Sequence, residues 1–258
     1  MMKADQIWQP PPAKLVLGNR EVHVWRAWLT ELAACKEQLS LILSEDERDR
    51  AGRFHFVRDQ TNFVVGRGLL RVLLSRYTGL EPERLVFSYG SRGKPALSLA
   101  DAETTLRFNL SHSHEMALFA FTKEREIGVD VEWTERDIEI EQIAERFFSP
   151  TEASAIQLLS GVSQRQAFYN CWTRKEAFIK ARGDGLSLDL AAFDVSLIPG
   201  ETAALLKTRW EPGEAARWSL RDIKVGDGYA GALAVEGDIG ELNCWQWLGS
   251  QEGSSKGV

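Results

Sequence analysis

The chain is poor in cysteine, and the cysteines it has form no pattern. Cys35, Cys171 and Cys244 are the only three in 258 residues. They lie far apart and are odd in number, with neither a disulfide framework nor a zinc spacing, which favours a reducing compartment. A basic excess is lacking too. The net charge is −6, so broad electrostatic capture of nucleic acid is not favoured. That excludes a wide basic face but leaves room for a local basic pocket. No apolar run is long enough to span a membrane. Near the N-terminus Trp8 is followed by Gln9-Pro10-Pro11-Pro12 rather than an apolar signal core. The expected location is the cytoplasm, with no membrane and no nucleic acid among the partners. Disorder along most of the chain is argued against by a composition 44% hydrophobic and 26% charged. The length suffices for one large domain or two of ordinary size.

Residues 1–20 read as an irregular lead-in, because Pro10, Pro11 and Pro12 block helix and sheet. Val22 to Trp28 has strand-like content. Ser44-Glu45-Asp46-Glu47 is a capping box that opens a short helix, with Arg48, Arg50 and Arg53 on or just after it. A longer helix is expected from Asp59 to Tyr77, ending near Gly79. Leu85 to Phe87 is an expected strand, Gly93-Lys94-Pro95 a turn, and Phe108 to Leu110 a strand end. Met116 to Phe121 is a continuous apolar strand, and Lys123-Glu124-Arg125 turns into the next. In that next strand Ile127, Val129, Val131 and Trp133 share one face, and Gly128, Asp130 and Glu132 the other. Ser149-Pro150-Thr151-Glu152 is a second capping box with proline at the first helical position. Ser163 to Gln166 is a third, expected to start a helix that runs to Arg182 and closes at Gly183. Further strands are expected at Phe193–Val195, Trp218–Ile223 and Tyr229–Val235. The Gly- and Ser-rich tail from Gly249 is expected to be mobile.

A weak internal repeat runs through these signals. Ser44 and Phe63 are separated by the same interval as Ser149 and Phe168, and each serine opens an S-x-x-E box, with Glu47 in one and Glu152 in the other. Each phenylalanine is read as beginning a helix, followed by a glycine turn and a strand. The expected fold is α+β: two similar α+β halves related by a pseudo-twofold, 1–124 and 125–248, followed by the tail 249–258. Arg71 occupies the first-half position that matches Glu176, so carboxylate chemistry is expected in the second half only. A cleft between the halves is the natural place for a ligand.

Asp130 and Glu132 lie two apart on one strand face, their backbones about 6.6 Å apart. Two carboxylates so placed can reach one cation, and magnesium prefers oxygen ligands completed by waters and phosphates. Two solvated acids on an open strand face would look the same in sequence. Glu176 borders the helical stripe of Phe168, Trp172 and Ile179 and can point into a cleft; an i,i+4 ion pair with Lys180 is the competing reading. Glu152 completes a capping box and is set aside as structural. His112 follows Ser111 at a strand end, where a structural hydrogen bond is the plainer role. Lys94 sits in a Gly-Lys-Pro turn, and Arg48, Arg50 and Arg53 can equally form the charged side of a short helix.

Taken together, five ordered segments resemble the Sfp-type 4′-phosphopantetheinyl transferases. They are Gly93-Lys94-Pro95, Phe108-Asn109-Leu110-Ser111-His112-Ser113, Gly128-Val129-Asp130-Val131-Glu132, Arg146 to Glu152, and Trp172-Thr173-Arg174-Lys175-Glu176-Ala177-Phe178-Ile179-Lys180. The resemblance covers roughly Ser44 to Val235. It implies transfer of the phosphopantetheine arm of coenzyme A to a serine of an acyl or peptidyl carrier protein, with release of 3′,5′-ADP. It also implies two similar α+β halves with coenzyme A between them. Asp130, Glu132 and Glu176 match the magnesium ligands. Glu176 is then a candidate general base, while Lys180 and His112 match phosphate contacts that stabilise developing charge. Lys94 and Ser111 match the nucleotide-binding surface, and Arg50 and Arg53 fit the 3′-phosphate by charge and position. The chain departs from the family at Asn62, where many members carry a basic residue, and at Glu47, where some carry lysine. Two other readings use the same groups: a magnesium-dependent hydrolase of the coenzyme A pyrophosphate, and a non-catalytic module that binds coenzyme A or a carrier. The two-half architecture favours a monomer, since one chain supplies both walls of the cleft.

Overall fold

Two 22-residue helices, each laid on its own β-sheet, dominate the architecture. The structure is a computed structural model and describes residues 8–90, 93–98, 105–183 and 188–249. The chain runs β1 (Glu21–Trp28), α1 (Lys36–Leu41), α2 (Glu45–Gly52), α3 (Val57–Thr78), β2 (Val86–Tyr89), β3 (Pro95–Ser98), β4 (Leu106–Ser113), β5 (Met116–Lys123) and β6 (Ile127–Trp133). It continues α4 (Ile140–Phe147), α5 (Pro150–Gln157), α6 (Gly161–Arg182), β7 (Phe193–Val195), β8 (Leu205–Thr208), β9 (Trp218–Asp222), β10 (Tyr229–Glu236) and β11 (Glu241–Gln246). The mixture of helix and sheet is the α+β class expected. Among the described residues no helix is long and apolar enough to cross a membrane.

Local chemistry sets most of the boundaries. The boxes at Ser44 and Ser149 both form: the Ser44 and Ser149 backbone N–H groups donate to Glu47 Oε2 and Glu152 Oε2, each at 3.0 Å. Both long helices end in a left-handed glycine, Gly79 at φ 73° and Gly183 at φ 79°, where a residue with a Cβ would be strained. The third expected box is not a helix start. α6 begins at Gly161 with Ser160 as N-cap, because Gly161 at φ 56° turns the chain into the helix before Ser163 is reached. Phe63 and Phe168 likewise lie inside α3 and α6 rather than at their starts. Pro95, read as part of a turn, opens β3, which pairs with β2.

The first sheet has the order β11-β1-β5-β4 and the second β6-β10-β9. α3 covers one face of the first sheet, with Leu69, Leu70 and Leu73 against Trp25, Phe119 and Phe121. α6 covers one face of the second, with Ala177 and Phe178 in the same core as Ala232 and Ala234. The remaining faces meet each other, where Val22, Val24 and Leu118 pack with Ile127, Val129, Val131 and Leu233. The strand alternation from 127 to 133 is therefore real, but both faces are covered: the odd residues by the first sheet, the even ones by α6. β11 has no counterpart among the expected strands. It runs parallel to β1, from the pair Glu21 and Glu241 to the pair Arg26 and Gln246, so the last strand returns to the first sheet. Of the tail expected to be mobile, all but Gly249 lies outside the described residues.

One buried titratable group in the first sheet gives a pH prediction. His23 is 1% exposed, and its Nδ1 lies 2.9 Å from Tyr77 Oη, which also accepts from Trp25 Nε1–H. Burial lowers its pKa from 6.5 to about 4, with Glu21 opposing. The ring is thus neutral in the fold but protonated in the unfolded chain below pH 6.5. Stability is fully present above the unfolded value and falls as pH drops from 6.5 toward about 4, by about 3 kcal/mol on a one-group reckoning. Urea midpoints measured across this window should fall, and His23→Gln should flatten the profile between those limits.

Candidate active site

The site is built where α6 presses on β6. Gly128 makes this possible. A Cβ there would stand 2.0 Å from the Ala177 carbonyl oxygen and 2.3 Å from the Ala181 nitrogen, so only glycine admits the helix backbone so close to the strand. With the helix seated, Lys180 reaches the strand. Its Nζ lies 2.6 Å from Asp130 Oδ1 and 2.9 Å from Ser111 Oγ. The competing Glu176–Lys180 ion pair does not form; the ammonium goes to Asp130 instead, and Glu176 is half-buried with no hydrogen bond or ion pair among the described residues.

Three carboxylates face this region, and their charges conflict. Asp130 is 2% exposed; burial raises its pKa, against the pull of Lys180 and Ser111. Its Oδ2 is buried without a partner. Burial also raises Glu132, with Asp130 adding repulsion, while Ser113 Oγ donates to its Oε2 at 2.8 Å. Glu176 is raised by burial and by both Asp130 and Glu132. Like charges held together with an orphaned buried oxygen call for a cation. The donors are all oxygen, which suits a hard divalent ion. Among the described residues no three acidic, histidine or cysteine side chains close into a complete ligand group. Such a partial set would suit a hard ion such as magnesium, which takes a few carboxylates and completes its shell with water and phosphate.

Beside the carboxylates lies a cavity of about 290 Å³ between α3 and β4. Arg50, Asn62, Phe63, Arg67, His112 and Lys180 are among its walls. A second cavity of about 190 Å³ shares Gly93, Leu110 and Lys180 with it and extends the cleft past Lys94. His112 opens onto the cavity, yet the walls desolvate its imidazolium and lower its pKa, with Lys180 adding repulsion. Histidine is therefore held as a neutral hydrogen-bonder beside fixed cations. A roomier cavity of about 730 Å³ lies elsewhere, lined by Pro10, Leu39, Leu69 and Trp247 among others. Among the described residues of its walls Arg76 is the one charged side chain and none is acidic, unlike the carboxylate cluster.

Most of the expected site residues come together. Asp130, Glu132, Glu176, Lys180, Ser111 and His112 cluster at the α6–β6–β4 junction, and Arg50 joins them across the cavity, its guanidinium 5.3 Å from the Phe63 ring centre. Arg53 is exposed and is not among the cavity walls. Lys94 lines the smaller cavity, but its ammonium is engaged with Glu126 Oε2 at 2.9 Å and the Ala181 carbonyl at 2.8 Å. Glu152 is structural: buried, it pairs with Lys175 at 2.8 Å and accepts from the Val195 N–H. Arg71, opposite Glu176 in the repeat, is spent on Glu47 at 2.6 Å and on the carbonyls of Pro82 and Leu85. Sequence reasoning missed Arg67. It is 6% exposed, borders the main cavity, and has an Nη1 without a partner. Its spacing of one helical turn from Phe63 was the available signal.

Fold and site together define a class: an α+β protein whose cation-lined cleft adjoins a carboxylate cluster. Two family models match the chain. The N-terminal model of the 4′-phosphopantetheinyl transferases covers residues 25–124, and the 4′-phosphopantetheinyl transferase superfamily model covers residues 126–234. The 4′-phosphopantetheinyl transferase HetI of Nostoc sp. is 38% identical over 93% of this chain and 98% of its own length. The Sfp transferase of Bacillus subtilis is 38% identical over 62% of this chain and 69% of its own. The holo-[acyl-carrier-protein] synthase of Thermotoga maritima aligns with a TM-score of 0.34 at 23% identity, over 44% of this chain and 63% of its own. The chain belongs to the 4′-phosphopantetheinyl transferase superfamily and is a phosphopantetheinyl transferase.

Proposed function

We propose that the protein moves the 4′-phosphopantetheine arm of coenzyme A onto a serine of an apo acyl or peptidyl carrier protein, with magnesium, releasing 3′,5′-ADP. The observation that carries this reading is the adjacency of the cleft cations Arg50, Arg67 and Lys180, with His112 beside them, to the crowded carboxylates Asp130, Glu132 and Glu176. Coenzyme A is a chain of phosphates joined to a neutral arm, and such a row of cations suits its phosphates. Held by the three carboxylates, magnesium would offset charge on the pyrophosphate.

This chain's own residues do the rest. Arg50 and Arg67 take the 3′-phosphate end, with Arg53 outside the cavity as a weaker candidate. His112 and Lys180 donate to the pyrophosphate and hold the charge that develops on it. Lys94 fixes the wall of the nucleotide side, and Ser111 orients Lys180 and Asp130. Glu176, with no hydrogen bond or ion pair among the described residues and a raised pKa, accepts the carrier serine proton, directly or through water. The serine oxygen bonds to the phosphorus on the pantetheine side, and the bond from that phosphorus to the bridging oxygen breaks. 3′,5′-ADP leaves with the bridging oxygen.

Two α+β halves related by an approximate twofold, about 1–124 and 125–248 with coenzyme A between them, are part of this proposal. The matched succession of a capped short helix, a 22-residue helix and a left-handed glycine in each half supports it. A cytoplasmic monomer is the proposed state.

The test is intact-mass analysis of apo carrier proteins of the fatty-acid, polyketide and peptide-synthesis types, incubated with coenzyme A and magnesium. A gain of one phosphopantetheine, lost with chelator, is expected. No gain on any carrier, with coenzyme A hydrolysed, would replace the proposal by a pyrophosphate hydrolase; no gain with coenzyme A intact would leave a binding module. A narrower prediction concerns His112, whose exposed position makes truncation benign for folding. His112→Ala should weaken coenzyme A binding about tenfold by calorimetry, the loss of one hydrogen bond to a charged group. Unchanged affinity would remove it from the phosphate site.

A further inference from the structure

The two sheets meet at β4 and β6, and no backbone ladder joins these strands among the described pairs. Side chains join them instead. Asn109 Oδ1 accepts from the Val129 N–H at 2.9 Å, Ser111 Oγ from Val131 at 3.4 Å, and Ser113 Oγ from Trp133 at 3.1 Å. Each partner lies 20 residues on, so the rungs advance two by two along both strands. This row takes up the N–H groups of a strand edge that would otherwise be unpaired.

The same row reaches the carboxylates. Ser111 Oγ donates to Asp130 Oδ1 at 2.9 Å and Ser113 Oγ to Glu132 Oε2 at 2.8 Å. The corresponding place beside Asn109 is Gly128, so that rung bears on no acid. A hydroxyl has one proton to give and two lone pairs to share. Ser113 accepts from Trp133 N–H and from Arg136 Nη2 at 3.0 Å. Both lone pairs are taken, so its proton is directed at Glu132. Ser111 is saturated in the same way by Val131 N–H and Lys180 Nζ. In each case one carboxylate oxygen is pinned from the strand edge and the other is left over: among the described residues Asp130 Oδ2 has no hydrogen-bond partner, and Glu132 Oε1 makes no hydrogen bond or ion pair.

We infer that Ser113 is a positioning residue for Glu132, fixing one carboxylate oxygen so that the other is presented to a divalent cation. The inference rests on the proposed carboxylate site and deepens it. Ser113 is 4% exposed and is absent from the walls of both cleft cavities, so its effect passes through Glu132. Arg136, 3.7 Å from Glu132 Oε2, holds the serine from the other side. Outer partners of metal ligands of this kind typically contribute 10–100-fold in metal affinity.

The test is Mn²⁺ titration of the full-length protein followed by electron paramagnetic resonance, with melting temperature measured in parallel. Ser113→Ala should weaken Mn²⁺ binding about tenfold or more. Asn109→Ala, which breaks a rung bearing on no carboxylate, should lower the melting temperature and leave Mn²⁺ affinity within about twofold. That contrast separates positioning from mere stabilisation of the seam. If Ser113→Ala does not fold, Ser113→Cys keeps the volume with a weak donor and should show the same loss. Mn²⁺ affinity unchanged in a folded Ser113 variant, or lost equally in Asn109→Ala, would overturn the inference while leaving the carboxylate site standing. No Mn²⁺ binding by the unaltered protein would overturn the metal reading and the inference with it.

Discussion

Glu176→Gln is expected to lower the rate of carrier modification by at least about 100-fold while the protein stays folded. The side chain is half-buried on α6 and makes no hydrogen bond or ion pair that the amide would break. The substitution keeps size and shape but removes the proposed proton acceptor, which is also a proposed anionic ligand of the cation. It also removes a charge that Asp130 and Glu132 repel. Melting temperature should therefore hold or rise, so loss of activity cannot be laid to unfolding. Single-turnover mass analysis and a thermal melt on the same sample decide the matter. Wild-type turnover in the folded variant would take Glu176 out of the mechanism.

Gly128→Ala is expected to be the most damaging small change in the chain. Its new methyl would meet backbone rather than a movable side chain, at 2.0 Å from the Ala177 oxygen. Either α6 lifts from β6 or β6 bends, and overpacking of this kind destabilises by about 3 kcal/mol. For a chain of this size that corresponds to a melting temperature lower by roughly 6–12 °C. Activity should fall further than stability accounts for, because Glu176 and Lys180 ride on the displaced helix while Asp130 and Glu132 stay on the strand. A melt within about 1 °C of wild type would show that helix and strand are not in this close contact.

The two expectations differ in how far sequence could foresee them. The three carboxylates were legible in pattern: Asp130 and Glu132 share a strand face by the period of two, and Glu176 sits at the edge of a helical stripe. Their convergence was not, since nothing within a few residues of Gly128 states that the Ala177 carbonyl will lie against it. Arg67 drew no reading at all, because only the cavity wall gives its unpartnered Nη1 meaning. Asn109 read only as part of a strand end and Ser113 only as the close of a motif, because their partners lie 20 residues further on.

By itself the sequence determined what depends on near neighbours. The boxes at Ser44 and Ser149, the left-handed ends at Gly79 and Gly183, the alternation from Ile127 to Trp133 and the structural role of Glu152 all follow from hydrogen bonds or side-chain directions within about four residues. Tertiary structure decided the rest: β11 returning beside β1, Lys180 choosing Asp130 over Glu176, Arg50 and Arg67 facing His112 across one cavity. These are choices among partners distant in the chain. They are settled by burial, charge and backbone clearance, which exist only once the two sheets and their helices have packed.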